Sequence, residues 1–149
     1  AYRSIQWKSL IMIVGMLPFA IALERTGGVD LAAHALVGLT ANTGVYSMLA
    51  LLFAITVVLG LFVSGTANAV LLIPVALAIA EELHASPYPF AMIVALACSS
   101  SFMTPIAPVN SLVATAGNYS FADFVRVGLP LTLIVMVVSV FMVPWIFPL

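Results

Sequence analysis

Hydroxyl, amide and proline residues gather at two places in a chain that otherwise carries few polar groups. The first is Ser64-Gly65-Thr66, with Asn68 close behind; the second runs from Ser99-Ser100-Ser101 through Thr104-Pro105 to Pro108 and Asn110. If these places interrupt helices, each offers two kinds of ion ligand. Backbone amides at the start of a helix favour an anion, because they have no partner within the helix and lie at its positive end. Carbonyls at the end of a helix, together with Ser and Thr hydroxyls, are oxygen ligands suited to a hard cation such as sodium. The chemistry is therefore ion binding at helix breaks, with Ser64, Gly65 and Thr66 at one break and Thr104 and Pro105 at the other.

Two other readings compete with it. Ser64 as an intramembrane serine nucleophile would need a histidine at the same depth. The two histidines, His34 and His84, fall near element ends, so that reading lacks a base. The second treats Ser64, Thr66, Asn68, Ser99 to Ser101 and Thr104 as packing residues, since hydroxyls and small side chains are common at membrane helix contacts. That explanation suits any single serine, but two helix breaks in lipid cost more than a hydroxyl contact and are tolerated only where they are buried in protein or line a cavity.

The elements that hold these clusters follow from composition. Of 149 residues, 64% are hydrophobic and 6% charged, with mean hydropathy +1.29, far from the roughly half apolar and quarter charged make-up of soluble domains. The charges sit at Arg3, Lys8, Glu24, Arg25, Asp30, Glu81, Glu82, Asp123 and Arg126, leaving long charge-free stretches between them. Such stretches suit crossings of about 20 apolar residues. A net charge of -1 without Lys/Arg runs removes the electrostatic basis for nucleic-acid binding. The lone Cys98 excludes disulfides within the chain.

Along the chain, 9–23 reads as a partial span, tilted or broken at Pro18, and 29–39 as an interfacial helix with Asp30 and His34 on one face. The stretch 45–80 is uncharged and would make a single helix of about 54 Å, beyond a hydrocarbon core of about 30 Å. It must turn back. Ser64-Gly65-Thr66 is the turn-capable site, since glycine tolerates positive φ, and the returning arm from 67 to 80 is short for a full span. A re-entrant hairpin is expected. Residues 89–116 form a helix broken around Thr104-Pro105, Asp123 and Arg126 form a surface pair in an interfacial stretch, and 129–149 is the last span, with Trp145 at its far interface. Asn118-Tyr119-Ser120 fits a glycosylation acceptor pattern but falls on the expected cytoplasmic side. Parity of crossings gathers Arg3, Lys8 and Arg126 on that side, against Arg25 opposite. The expected fold is thus an all-α membrane protein with one re-entrant helical hairpin and one discontinuous helix, multi-pass in the inner (plasma) membrane.

These motifs resemble the C-terminal half of the divalent anion/sodium symporter family, especially its citrate-transporter-like bacterial permeases. The resemblance rests on IQWKSLIMIVGMLPFAIALERTGG, VSGTANAVLLIPVALAIAEEL, TPIAPVNSL and GNYSFADFVRVGLPLTL. It implies one of two inverted repeats, each with a hairpin tipped Ser-Asn-Thr and an unwound helix containing Thr-Pro. Ser64, Gly65 and Thr66 would be the tip, and Thr104, Pro105 and Asn110 part of the unwound helix. The chain departs from the pattern at Gly65, where the family has Asn; Asn68, one turn on, could substitute. The substrate set implied is Ser64, Gly65, Thr66, Asn68, Thr104, Pro105 and Asn110, with sodium held through Ser64, Gly65, Met103 and Thr104. A homodimer with elevator-like motion, partnership with an N-terminal half of the same transporter, and no cofactor beyond sodium follow from the same likeness. The function implied is sodium-coupled secondary transport of sulfate or a di- or tricarboxylate, not enzymatic chemistry. A proton-coupled or arsenite-type anion permease is the nearest alternative, followed by a non-transporting remnant.

Overall fold

The computed structural model describes residues 7–40, 44–100, 102–104, 108–117 and 119–148, and among these every regular element is helical. In order they are α1 (Trp7–Arg25), α2 (Gly28–Thr40), α3 (Val45–Gly60), α4 (Gly65–Glu82), α5 (Pro87–Ser99), α6 (Pro108–Gly117) and α7 (Phe121–Ile146). Two of the described helices, α4 and α7, are long and apolar enough to cross a membrane.

The core is where α3, α4 and α5 meet. Leu49, Leu52 and Phe53 of α3, Ala76 and Ile79 of α4, and Phe90, Ile93, Val94 and Ala97 of α5 are fully buried. α4 packs chiefly against α5, and α1 and α2 also lie on α4. α7 leans on α3 and α5; Gly128, Thr132, Ser139, Val140 and Val143 are buried along it, and much of its remaining surface is apolar and exposed. Exposed apolar helix faces of this kind are what a bilayer or further protein covers.

Several local expectations need correction. The 45–80 stretch does reverse, but the turn is Leu61–Ser64, and Gly65 and Thr66 already belong to α4. Gly65 is not at positive φ; the described glycines that are so are Gly27 (74°) and Gly44 (84°). Ser64 takes the extended N-cap conformation, and its carbonyl accepts the Asn68 amide at 2.9 Å. This is how an N-cap residue starts a helix. The returning arm is consequently 18 residues rather than about 14, or about 27 Å of helix. Glu81 and Glu82 extend it at the other end, where a Schellman-type stop follows: the His84 amide donates to the Glu81 carbonyl and the Ala85 amide to the Ala80 carbonyl. His84 itself holds the left-handed conformation, φ 53°.

Pro18 does not break α1, which runs through it; proline removes one amide donor, and membrane helices absorb that loss. Asp123 and Arg126 belong to the start of α7 rather than to a separate stretch. Asp123 does not serve Arg126. Its carboxylate accepts the Ser120 amide at 2.9 Å and the Ser120 hydroxyl at 2.7 Å, closing a capping box. Those hydrogen bonds hold the Asp123 carboxyl below its ordinary pKa. The ion pair among the described residues is His34 with Glu82, Nδ1 to Oε1 at 2.7 Å, which ties α2 to the end of α4.

Candidate functional site

α4 and α5 run antiparallel, so the start of α4 meets the end of α5, one residue before the second polar cluster begins. The contact is close. A Cβ added to Gly65 would lie 2.9 Å from the Cys98 carbonyl oxygen, so the absence of a side chain is what admits the approach. The first residue of α4 thus lies against the last-turn carbonyl of Cys98 in α5. The positive end of one helix faces the negative end of the other, which is favourable for both. In general, a helix start offers amide donors to an anion and a helix end offers carbonyl oxygens to a cation.

Beyond Cys98, α5 ends with the Ser99 hydroxyl donating to the Ala95 carbonyl (3.0 Å) and the Ser100 hydroxyl donating to Leu96 (2.7 Å). These two serines are satisfied within their own helix. The Ser100 amide falls back to Ala97, and the Phe102 amide reaches Ser100, so the chain leaves the helical ladder by short-range bonds. Thr104 then lies buried at 3% exposure. Its carbonyl accepts Asn110 Nδ2 at 2.8 Å, so a side chain from α6 closes the loop between the two half-helices. Pro105 and Ser101 lie outside the described residues.

At the hairpin, Ser64 and Thr66 are exposed while Asn68 is 1% exposed. Asn68 Nδ2 donates to the Thr56 carbonyl at 2.8 Å, and the Thr56 hydroxyl donates to Leu52 at 2.7 Å. The amide thereby bridges the two arms just below the turn. Ser64 and Thr66 belong to the open surface of the tip and Gly65 is half-buried, while Asn68 and Thr104 sit inside. Met103 lies between, partly buried and packed on the core.

Sequence reasoning missed three contributors: Thr56, Gly128 and the Cys98 backbone. An uncharged threonine inside the apolar 45–60 run and a glycine inside the last span were the available signals, since each is costly without a contact. A Cβ on Gly128 would meet the Phe102 carbonyl oxygen at 2.5 Å and Met103 Cα at 2.8 Å, so α7 touches the break's backbone directly.

An open groove of about 650 Å³ lies next to the break, lined by Phe102, Asn110, Tyr119, Asp123, Gly128 and Leu131 among others. Its walls are mainly apolar and the charge it presents is a carboxylate, so it is poorly matched to an anion. The hairpin tip is not part of it.

A sequence model described as citrate transporter matches residues 1–149. The chain is 56% identical over 149 residues to the uncharacterized transporter YfbS of Escherichia coli (strain K12), covering 99% of this chain and 24% of that protein. It is 31% identical over 150 residues to Na(+)/dicarboxylate cotransporter 3 of Rattus norvegicus, covering 97% of this chain and 24% of the relative. With sodium/sulfate cotransporter 1 of Chlamydomonas reinhardtii it shares 26% identity over 141 residues, covering 93% of this chain and 16% of the relative. The chain thus spans a quarter or less of the length of each of these relatives. No solved structure matches.

Proposed function

We propose, from the premise that this chain belongs to the citrate transporter family, that it carries half of the binding site of a secondary transporter for a small divalent anion with sodium as coupling ion. The observation that carries this reading is the meeting of the α4 start with the α5 end at Gly65 and Cys98. Discontinuous helices that present such ends are how transporters bind anion and cation near the midplane without a fixed charge there. The described part of this chain has no Lys or Arg between Arg25 and Arg126. The names of the relatives point the same way, to sodium with sulfate or dicarboxylate.

In this mechanism Ser64, Gly65, Thr66 and Asn68, with Thr104, Pro105 and Asn110, form the substrate side; Ser64, Gly65, Met103 and Thr104 supply oxygens to sodium. Amides and hydroxyls replace the hydration shell of the anion, and carbonyls replace that of the cation. Binding one charge offsets the other, so each raises the affinity of its partner. The hairpin is re-entrant, its tip lying within the membrane. Support comes from the turn itself: Leu61-Phe62-Val63 carries no polar side chain, and Phe62 is 81% exposed. Such a turn suits an apolar or protein-covered setting better than a water interface. The pairing of His34 with Glu82 joins α2 to the far end of α4, consistent with both lying on the non-cytoplasmic side. The other half of the site comes from an N-terminal repeat of the same protein, in a homodimer in the inner membrane.

A serine hydrolase is disfavoured because His34 is engaged at Glu82, about 27 Å along α4 from Ser64. The test is uptake of radiolabelled sulfate, succinate and citrate by the full-length protein, with sodium replaced by choline and with an imposed pH gradient. Sodium-dependent uptake of one of the three supports the reading. Uptake driven by the pH gradient alone would replace it with the proton-coupled alternative.

A further inference from the structure

A glycine inside an apolar helix gives up about 1 kcal/mol relative to alanine, so it calls for a reason. Gly15 and Gly38 show none in their surroundings, since a Cβ on either would meet nothing within 4 Å. Gly128 differs. Its nearest neighbours would be the Phe102 carbonyl oxygen at 2.5 Å, the Phe102 carbonyl carbon at 2.6 Å and Met103 Cα at 2.8 Å. All three are backbone atoms, so no rotamer change could make room; either α7 or the break would have to move. One turn later the Thr132 hydroxyl donates to the Gly128 carbonyl at 2.7 Å, and both residues are buried. This face of α7 is kept small and flat where it lies on the break.

At the start of the same stretch, a Cβ on Gly65 would meet the Cys98 carbonyl oxygen at 2.9 Å. The break is thus approached closely by glycines of two different helices, at Cys98 from α4 and at Phe102 and Met103 from α7, and Thr104 is held through its carbonyl by Asn110. We propose that Gly128 is a positioning residue: its contact with Phe102 and Met103 fixes where the Met103 and Thr104 groups stand relative to the hairpin tip, and so sets the affinity for ion and anion. The inference rests on the transport reading given above. Gly128 itself touches no ligand in this scheme.

The test uses the full-length protein in proteoliposomes, with Gly38→Ala as the control, and measures uptake of radiolabelled sulfate and succinate against sodium concentration. Gly128→Ala is expected to raise the KM for the anion and the half-saturating sodium about ten- to a hundredfold, as an ångström-scale misplacement does, with a smaller change in maximal rate per inserted protein. Gly38→Ala should match wild type. Unchanged KM and sodium dependence in Gly128→Ala would overturn the inference while leaving the transport reading intact, whereas absence of uptake by wild type would remove both. Should Gly128→Ala fail to insert, hydrogen exchange on the wild-type protein decides. Sodium with the transported anion should raise protection in 100–104 and 124–132 together, and protection confined to 100–104 would overturn the inference.

Discussion

At the scale of single residues, Gly65 is the most informative position. The likeness to the family raised the thought that an asparagine belongs there, yet the Cys98 carbonyl occupies the space a Cβ would need. Gly65→Asn should therefore fail to add a ligand and instead push the tip off α5. A loss of about 1–3 kcal/mol is expected for such overpacking, read as a lowered thermal midpoint of the full-length protein in detergent, together with reduced uptake. A gain in sodium affinity would show that the tip relaxes to accept the amide. Asn68 makes a separate prediction. Asn68→Ala removes the bond to the buried Thr56 carbonyl, so stability should fall by about 1–3 kcal/mol even with no ligand present, and the anion KM should rise with it; a lowered melting point with unchanged KM would take Asn68 out of the substrate side. The proximity of Gly65 to α5 could not be read from sequence, because a glycine at a turn and a glycine at a close contact look the same until the neighbour is known.

At the scale of elements, the helical content and its rough limits were legible, since charge clusters and Gly or Pro runs mark most ends. The position of the hairpin turn was not. Ser64-Gly65-Thr66 is a turn-like triplet, but serine followed by glycine and threonine equally makes an N-cap and first turn, and the chain uses it so. Asp123 was likewise misassigned, because an i, i+3 acid–base pair and a Ser-x-x-Asp capping box overlap in SFADFVR, and the box won at short range. Removing that cap with Ser120→Ala should cost about 1 kcal/mol. Asp123 adds a pH dependence: its carboxyl is held below the ordinary value, so its contribution is present above the unfolded pKa and fades as pH falls through the lower folded one. Melting followed downward from about pH 5 and compared between wild type and Asp123→Asn reads it: the wild-type advantage should shrink only below about pH 4. His84 offers the opposite sign. It sits at the left-handed stop of α4, where glycine is the usual residue, so His84→Gly should stabilise by about 1 kcal/mol. The exposed His34–Glu82 pair, by contrast, should matter little: Glu82→Gln should shift stability by well under about 1 kcal/mol.

At the scale of the whole molecule, the outer faces of α1 and α7 and the Leu61-Phe62-Val63 turn expose apolar side chains, surfaces that suit lipid or further protein. On the proposed reading the chain offers half of a binding site, and the relatives it matches are some four times longer or more. The measurement closest to the central claim is chemical protection at the tip. In the full-length protein with its other cysteines replaced, Ser64→Cys should react with a small charged thiol reagent, and the reaction should slow when sodium and the transported anion are present together, but not with choline in place of sodium. If sodium and each of sulfate, succinate and citrate leave the rate unchanged in a variant that still takes up one of them, the anion and its ion bind elsewhere and the tip is only a fold.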